Sequence, residues 1–108
     1  MNLQVQPSEL AVALKSMQPP CLLDVREPEE HAIAALPGSR LIPLGELPGR
    51  IDELEDWKDK TVVVYCHHGI RSMHAISILR GAGFTNLLNL AGGIDRWSRE
   101  VDATMPRY

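Results

Sequence analysis

Thr61-Val62-Val63-Val64-Tyr65-Cys66-His67-His68-Gly69-Ile70-Arg71-Ser72 is the stretch that decides the fold. Its first five residues form an apolar, β-branched run without alternation, the pattern of a strand covered on both faces. A cysteine ends the run, a short loop with one glycine follows, and a helix begins at about Ser72. That helix spans 72–80, with Met73, Ile76 and Leu79 on one face and Gly81 or Gly83 as its stop.

Outward from this unit the same alternation repeats. Upstream, Cys21-Leu22-Leu23-Asp24-Val25 reads as a second buried strand. Before it, Pro7-Ser8-Glu9 opens a helix with Leu10, Leu14 and Met17 on one face, and Pro19-Pro20 stops it. Glu27-Pro28-Glu29-Glu30-His31 starts a short helix whose acidic residues sit at the end the helix dipole favours. Pro37-Gly38 turns into Arg40-Leu41-Ile42-Pro43, whose proline marks an edge strand or a strand end, and a helix over about 47–54 follows. Downstream come a strand over 86–90, a Gly92-Gly93 turn and a helix over 94–100. Strands alternating with helices predict an α/β, three-layer fold: a parallel sheet flanked by helices on both faces. In such sheets ligands bind beyond the carboxyl ends of the strands, where Cys66 stands.

Length and charge narrow the function. At 108 residues the chain fits one domain, 1–108. With 44% hydrophobic and 23% charged residues it reads as a soluble globular protein. No apolar run approaches the roughly 18 residues that cross a bilayer, and Met1-Asn2-Leu3-Gln4-Val5-Gln6 lacks the basic flank and apolar stretch of a secretory leader. A net charge of −3 argues against nucleic-acid or acidic-membrane partners. Two cysteines at unrelated spacing are too few for a disulfide scaffold or a paired zinc motif, which fits a reducing cytoplasmic location.

The loop itself carries chemistry. Successive N–H groups between a strand end and a helix start form an anion-binding nest, and the helix N-terminus adds unpaired donors and partial positive charge. Both favour an anionic, reactive sulfur at Cys66. Gly69 permits the positive φ needed where the loop bends back under that sulfur. Arg71 can supply a fixed cation for an oxyanion substrate. Cys21 has no such setting and reads as core, a resolving thiol being the alternative. His67 and His68 are placed at the pocket rim, where their titration would tune thiolate formation; three adjacent residues do not converge readily on one ion, so no metal and no cofactor is expected. Trp57 and Trp97 read as packing residues.

Cys66-His67-His68-Gly69-Ile70-Arg71-Ser72 resembles the active-site loop of the rhodanese superfamily. The resemblance extends to Leu22-Leu23-Asp24-Val25-Arg26-Glu27-Pro28-Glu29-Glu30, Leu36-Pro37-Gly38-Ser39, Ile42-Pro43-Leu44 and Leu90-Ala91-Gly92-Gly93-Ile94-Asp95-Arg96-Trp97, in order along nearly the whole chain. Relatives commonly carry a Gly-His pair where this chain has Ala34-Ala35. The resemblance implies a five-stranded parallel sheet and a ping-pong sulfurtransferase. Cys66 would take sulfane sulfur from thiosulfate or a related donor as a persulfide and pass it to a thiol or cyanide, a protein acceptor being a further partner. The N–H groups of His67 through Ser72 would hold the outer sulfur. Asp24 and Arg26 match the family pattern as supporting residues, with Arg26 paired to Glu30.

Two other readings compete. Phosphatase and arsenate-reductase relatives place five residues between cysteine and arginine, whereas four lie between Cys66 and Arg71, a smaller cradle. Many rhodanese-like domains have lost the cysteine and serve as regulatory modules; retention of Cys66, Gly69 and Arg71 speaks for activity, with a sulfur-relay module in a partner complex as the alternative.

Overall fold

The valine run forms the middle strand of the sheet because both of its faces find apolar cover. In the computed structural model, which describes residues 3–108, the strands are β1 (Gln4–Val5), β2 (Cys21–Asp24), β3 (Arg40–Leu41), β4 (Val62–Tyr65) and β5 (Leu87–Leu90). Met1 and Asn2, part of the stretch read for a leader, lie outside the described residues. The sheet order is β1-β5-β4-β2-β3, and every pairing is parallel. The helices are α1 (Pro7–Ala13), α2 (Pro28–Ile33), α3 (Leu47–Arg50), α4 (Ile70–Gly81) and α5 (Gly93–Glu100). Among the described residues no helix is long and apolar enough to cross a membrane.

Side chains of β4 alternate between two cores. Val62, Val64 and the following Cys66 pack with Leu47, Ala75, Ile76, Leu79 and Phe84 on one face. Val63 and Tyr65 pack with Leu10, Leu90, Ile94 and Trp97 on the other. Two buried faces account for the missing polar alternation in Val62-Val63-Val64. Register sets the rim as well: Asp24 pairs with Tyr65, so the ends of β2 and β4 bring Arg26 and Cys66 to the same edge of the sheet.

Four local expectations change. The strand pattern alone gives four strands, and the fifth is Gln4–Val5, a two-residue edge too short to show periodicity. Met17 does not join the α1 face: the helix ends at Ala13, the Ser16 hydroxyl bonds the Ala13 carbonyl at 2.7 Å, and Met17 is 100% exposed. The helix expected over 47–54 is one α turn that tightens to 3-10 geometry over Ile51–Trp57. Pro48 and Gly49 give it little intrinsic helicity, and buried Leu47, Leu54 and Trp57 hold it instead. Finally, α4 starts at Ile70, two residues before Ser72, which places Arg71 and Ser72 in its first turn.

The start of α5 pins the Cys66 loop from below. The Ile94 N–H donates to the Cys66 carbonyl at 2.9 Å and the Asp95 N–H to the His67 carbonyl at 3.1 Å. Gly93, at φ +65°, makes that approach possible: a Cβ there would sit 2.6 Å from the Cys66 carbonyl oxygen and closer still to the His67 carbonyl. Those obstacles are backbone and cannot swing aside. Gly93→Ala is therefore expected to cost at least about 3 kcal/mol. Gly81→Ala, in open space at the end of α4, should be neutral or gain up to about 1 kcal/mol. Thermal melts of the two variants check the contrast.

Candidate active site

Cys66 is 1% exposed, yet its sulfur is not packed as an inert core group. The Gly69 N–H donates to Sγ at 3.1 Å and the Ser72 N–H at 3.4 Å, with the Ser72 hydroxyl oxygen also 3.4 Å away. Gly69 is the N-cap of α4 at φ +102°, and Ser72 lies in the first turn. The sulfur thus accepts from donors that a helix N-terminus leaves unpaired, where the dipole favours negative charge. Of the six loop residues His67 to Ser72, Gly69 and Ser72 are the ones whose amides reach Sγ.

Behind this cradle lies Asn89, which sequence reasoning missed. The buried amide accepts the Ser72 hydroxyl proton through Oδ1 and donates from Nδ2 to the Gly69 carbonyl at 3.3 Å and to Gln4 Oε1 at 3.0 Å. One side chain thereby fixes both residues whose amides face the sulfur. A lone Asn inside the apolar strand Leu87-Leu88-Asn89-Leu90 was its available signal, since a buried amide needs partners.

Asp24 and Arg26 are each 0% exposed and form one unit. The Arg26 guanidinium donates to Asp24 Oδ1 at 2.9 Å and Oδ2 at 2.7 Å, and to the Ala34 carbonyl at 2.7 Å. The His31 ring nitrogen lies 2.8 Å from the same carboxylate. The expected pairing of Arg26 with the Glu30 side chain is therefore corrected. Arg26 reaches only the Glu30 backbone carbonyl, at 3.4 Å, because Asp24 lies two residues away on the same strand end.

Glu30 is committed elsewhere. Its carboxylate takes Arg71 in a fork, Nη1 to Oε1 at 2.7 Å and Nη2 to Oε2 at 2.9 Å. It also accepts the Glu27 N–H at 3.0 Å and the Tyr108 hydroxyl at 2.8 Å. Hydrogen bonds from Arg71, the largest influence, hold its carboxyl down at about 2. Arg71, 36% exposed, is thus a bound cation rather than a free one.

The rim is aromatic. His67 stacks between His68 and Tyr108, with ring centroids 4.0 Å apart on each side. Burial, aided by the neighbouring His68, pushes the His67 pKa down. Tyr108 accepts from Arg26 Nη1 at 2.7 Å, and burial raises its phenol to about 12. His68 and Ile70 are exposed. Cys21 is half-buried at the amino end of β2, in register with Val62, so roughly 13 Å of strand separates it from Cys66. Disulfide partners need Cα atoms within about 7 Å, so Cys21 does not resolve Cys66 within this fold.

A family profile described as the rhodanese-like domain matches residues 6–100. The chain belongs to the rhodanese-like domain family. A sulfurtransferase of Allochromatium vinosum is 34% identical over 96 residues, covering 89% of this chain and 88% of that protein. An adenylyltransferase and sulfurtransferase, uba4 of Ogataea parapolymorpha, is 36% identical over 95 residues, covering 88% of this chain but 24% of that protein. The rhodanese-like chain thus spans about a quarter of the length of some relatives it matches. The solved structure of the human single-domain sulfurtransferase TSTD1 superposes with a TM-score of 0.78 at 28% identity, covering 93% of this chain and 98% of that one. These rhodanese-like relatives carry the name sulfurtransferase, which supports sulfur transfer as the class of reaction.

Two outcomes are expected from this geometry. Asn89→Ala should cost roughly 1–3 kcal/mol by removing the buried amide that bonds the Ser72 hydroxyl and the Gly69 carbonyl. Combined with Ser72→Ala it should cost less than the two single changes added together; additive melting shifts would show the pair to be uncoupled. The second concerns acid. A carboxyl held below its unfolded value stabilises the fold above that value and loses the contribution as pH falls through the folded one. The stability gap between wild type and Glu30→Gln should therefore be full above about pH 5 and close as pH falls towards 2, read from melting temperature against pH.

Proposed function

We propose that the protein is a sulfurtransferase that carries sulfane sulfur as a persulfide on Cys66. The observation that carries this reading is the pair of amides, Gly69 and Ser72, aimed at a sulfur at the carboxyl edge of a parallel sheet. The Cys66 thiolate attacks the outer sulfur of a donor. A new S–S bond forms as the donor's own bond to that sulfur breaks, and the electron pair leaves with the donor, as sulfite when thiosulfate is used. The acceptor, a thiol or cyanide, then attacks the outer sulfur and the Cys66 thiolate is regenerated. Each half-step is a displacement needing no cofactor or metal. The α4 N-terminus stabilises the anionic sulfur in both resting forms, an electrostatic role that costs no rearrangement during the reaction. His67, His68 and Ile70 line the approach, with Arg71, paired to Glu30, beside it.

A protein acceptor is a second reading, supported by the match of this chain to one quarter of the longer adenylyltransferase and sulfurtransferase relatives. In that case the persulfide is relayed within a complex, at the cytoplasmic location the cysteine usage fits.

Thiosulfate treatment followed by intact-mass measurement should show one added sulfur, lost on adding cyanide with release of thiocyanate. Cys66→Ser should abolish both, and wild-type turnover in that variant would rule out the covalent step. Arg71→Ala, which leaves the Glu30 carboxylate without its loop partner, should lower sulfur loading at least about tenfold; unchanged donor kinetics would remove Arg71 from the site.

A further inference from the structure

The unassigned feature at the mouth of the loop is the Glu30–Arg71 fork. Two of the five Arg71 guanidinium N–H donors are committed to a carboxylate, at 2.7 and 2.9 Å, so the charge of Arg71 is already matched by an anion. That carboxylate is saturated in turn by the Glu27 amide and the Tyr108 hydroxyl, so it is held in place from three sides. The other cation near the loop, Arg26, is matched by Asp24 with 0% exposure of either side chain. Arg99 and Arg107 share Asp95 on the outer flank of α5, where more than half of each side chain is open to screening water. His67 adds no standing charge near neutral pH, because burial lowers its pKa.

We infer that Glu30 sets donor choice, biasing the Cys66 site towards monoanionic sulfane-sulfur donors, of the type R–S–S⁻ with an uncharged R, and against dianionic thiosulfate. Glu30 acts through Arg71 as a positioning and specificity-determining residue. The inference rests on the sulfur-transfer reading above. Its physical basis is the scaling of charge: a dianion feels twice the potential of a monoanion, so neutralising Arg71 penalises thiosulfate twice as heavily on a logarithmic scale.

Methanethiosulfonate tests this cleanly. It has nearly the shape of thiosulfate, with a methyl group in place of one charged oxygen. In either case the bond from the outer sulfur to the sulfonyl sulfur breaks, giving Cys66 persulfide plus sulfite from one and methanesulfinate from the other. Leaving-group differences cancel when each donor is compared between variants. Glu30→Gln should raise kcat/KM for thiosulfate roughly tenfold, mainly through KM, and for methanethiosulfonate only about threefold, the square-root relation that a pure charge effect requires. Glu30→Asp, which keeps the charge, should return the ratio towards wild type. An unchanged ratio in Glu30→Gln would overturn the inference. If the variants do not fold, inhibition of wild type decides it: sulfate, a dianion, should bind no more tightly than methanesulfonate, and a tenfold lower inhibition constant for sulfate overturns the proposal. Failure of Cys66 to gain sulfur from either donor, by intact mass, would instead sink the sulfur-transfer reading and this inference with it.

Discussion

The backbone reversal directly after Cys66 is the constraint on which the site depends. Between Cys66 and Ser72 the chain must turn its carbonyls one way and its amides the other. The Cys66 and His67 carbonyls face α5 and take its first free amides, while the Gly69 and Ser72 amides face the sulfur. Two helix N-termini therefore meet at one loop. One satisfies backbone oxygen and the other satisfies the thiol. Glycine at 69 and 93 is the stereochemical condition for this arrangement, as both adopt positive φ and Gly93 also lies against backbone too close for a Cβ.

Charge around the loop is organised by saturation. Asp24 takes Arg26 and His31; Glu30 takes Arg71, Tyr108 and its own helix-capping amide. A buried guanidinium is tolerable only where every proton finds an acceptor, and Arg26 meets that demand with both Asp24 oxygens, the Ala34 and Glu30 carbonyls and the Tyr108 hydroxyl. Tyr108 joins the two units: its phenol bridges Arg26 and Glu30 while its ring rests on His67. Residues far apart in sequence, at 24–31, 66–72 and 108, thus form one polar surface around a single sulfur.

Most of this architecture was legible in the residues. The valine run, the glycine-bearing loop and the strand–helix alternation are local patterns, and they place the sheet, the layers and the thiol. What escaped reading is what depends on register. Asn89 is one polar residue in an apolar strand, and only the alignment of β5 beside β4 brings it under Ser72. Glu30 had two arginines to choose from, and sequence distance favoured Arg26 while geometry chose Arg71. Tyr108 had no pattern at all, because its partners lie 78 and 82 residues away. The α4 boundary moved by two residues because Gly69 caps the helix and Ile70 opens it, and that shift is what turns the Ser72 amide onto the sulfur.

The strand lengths bear on how copies of this fold behave in a crowded solution. Three inner strands of four residues are flanked on either side by strands of only two, β1 and β3. A border of two residues offers a neighbouring chain too few free backbone groups to extend the sheet. On the β3 side Pro43 follows shortly after and cannot donate, while Arg40 is drawn back to Asp56 at 2.7 Å and over the Trp57 ring. A domain that concentrates apolar residues in its centre is thereby shielded from growing into fibrils at its margins.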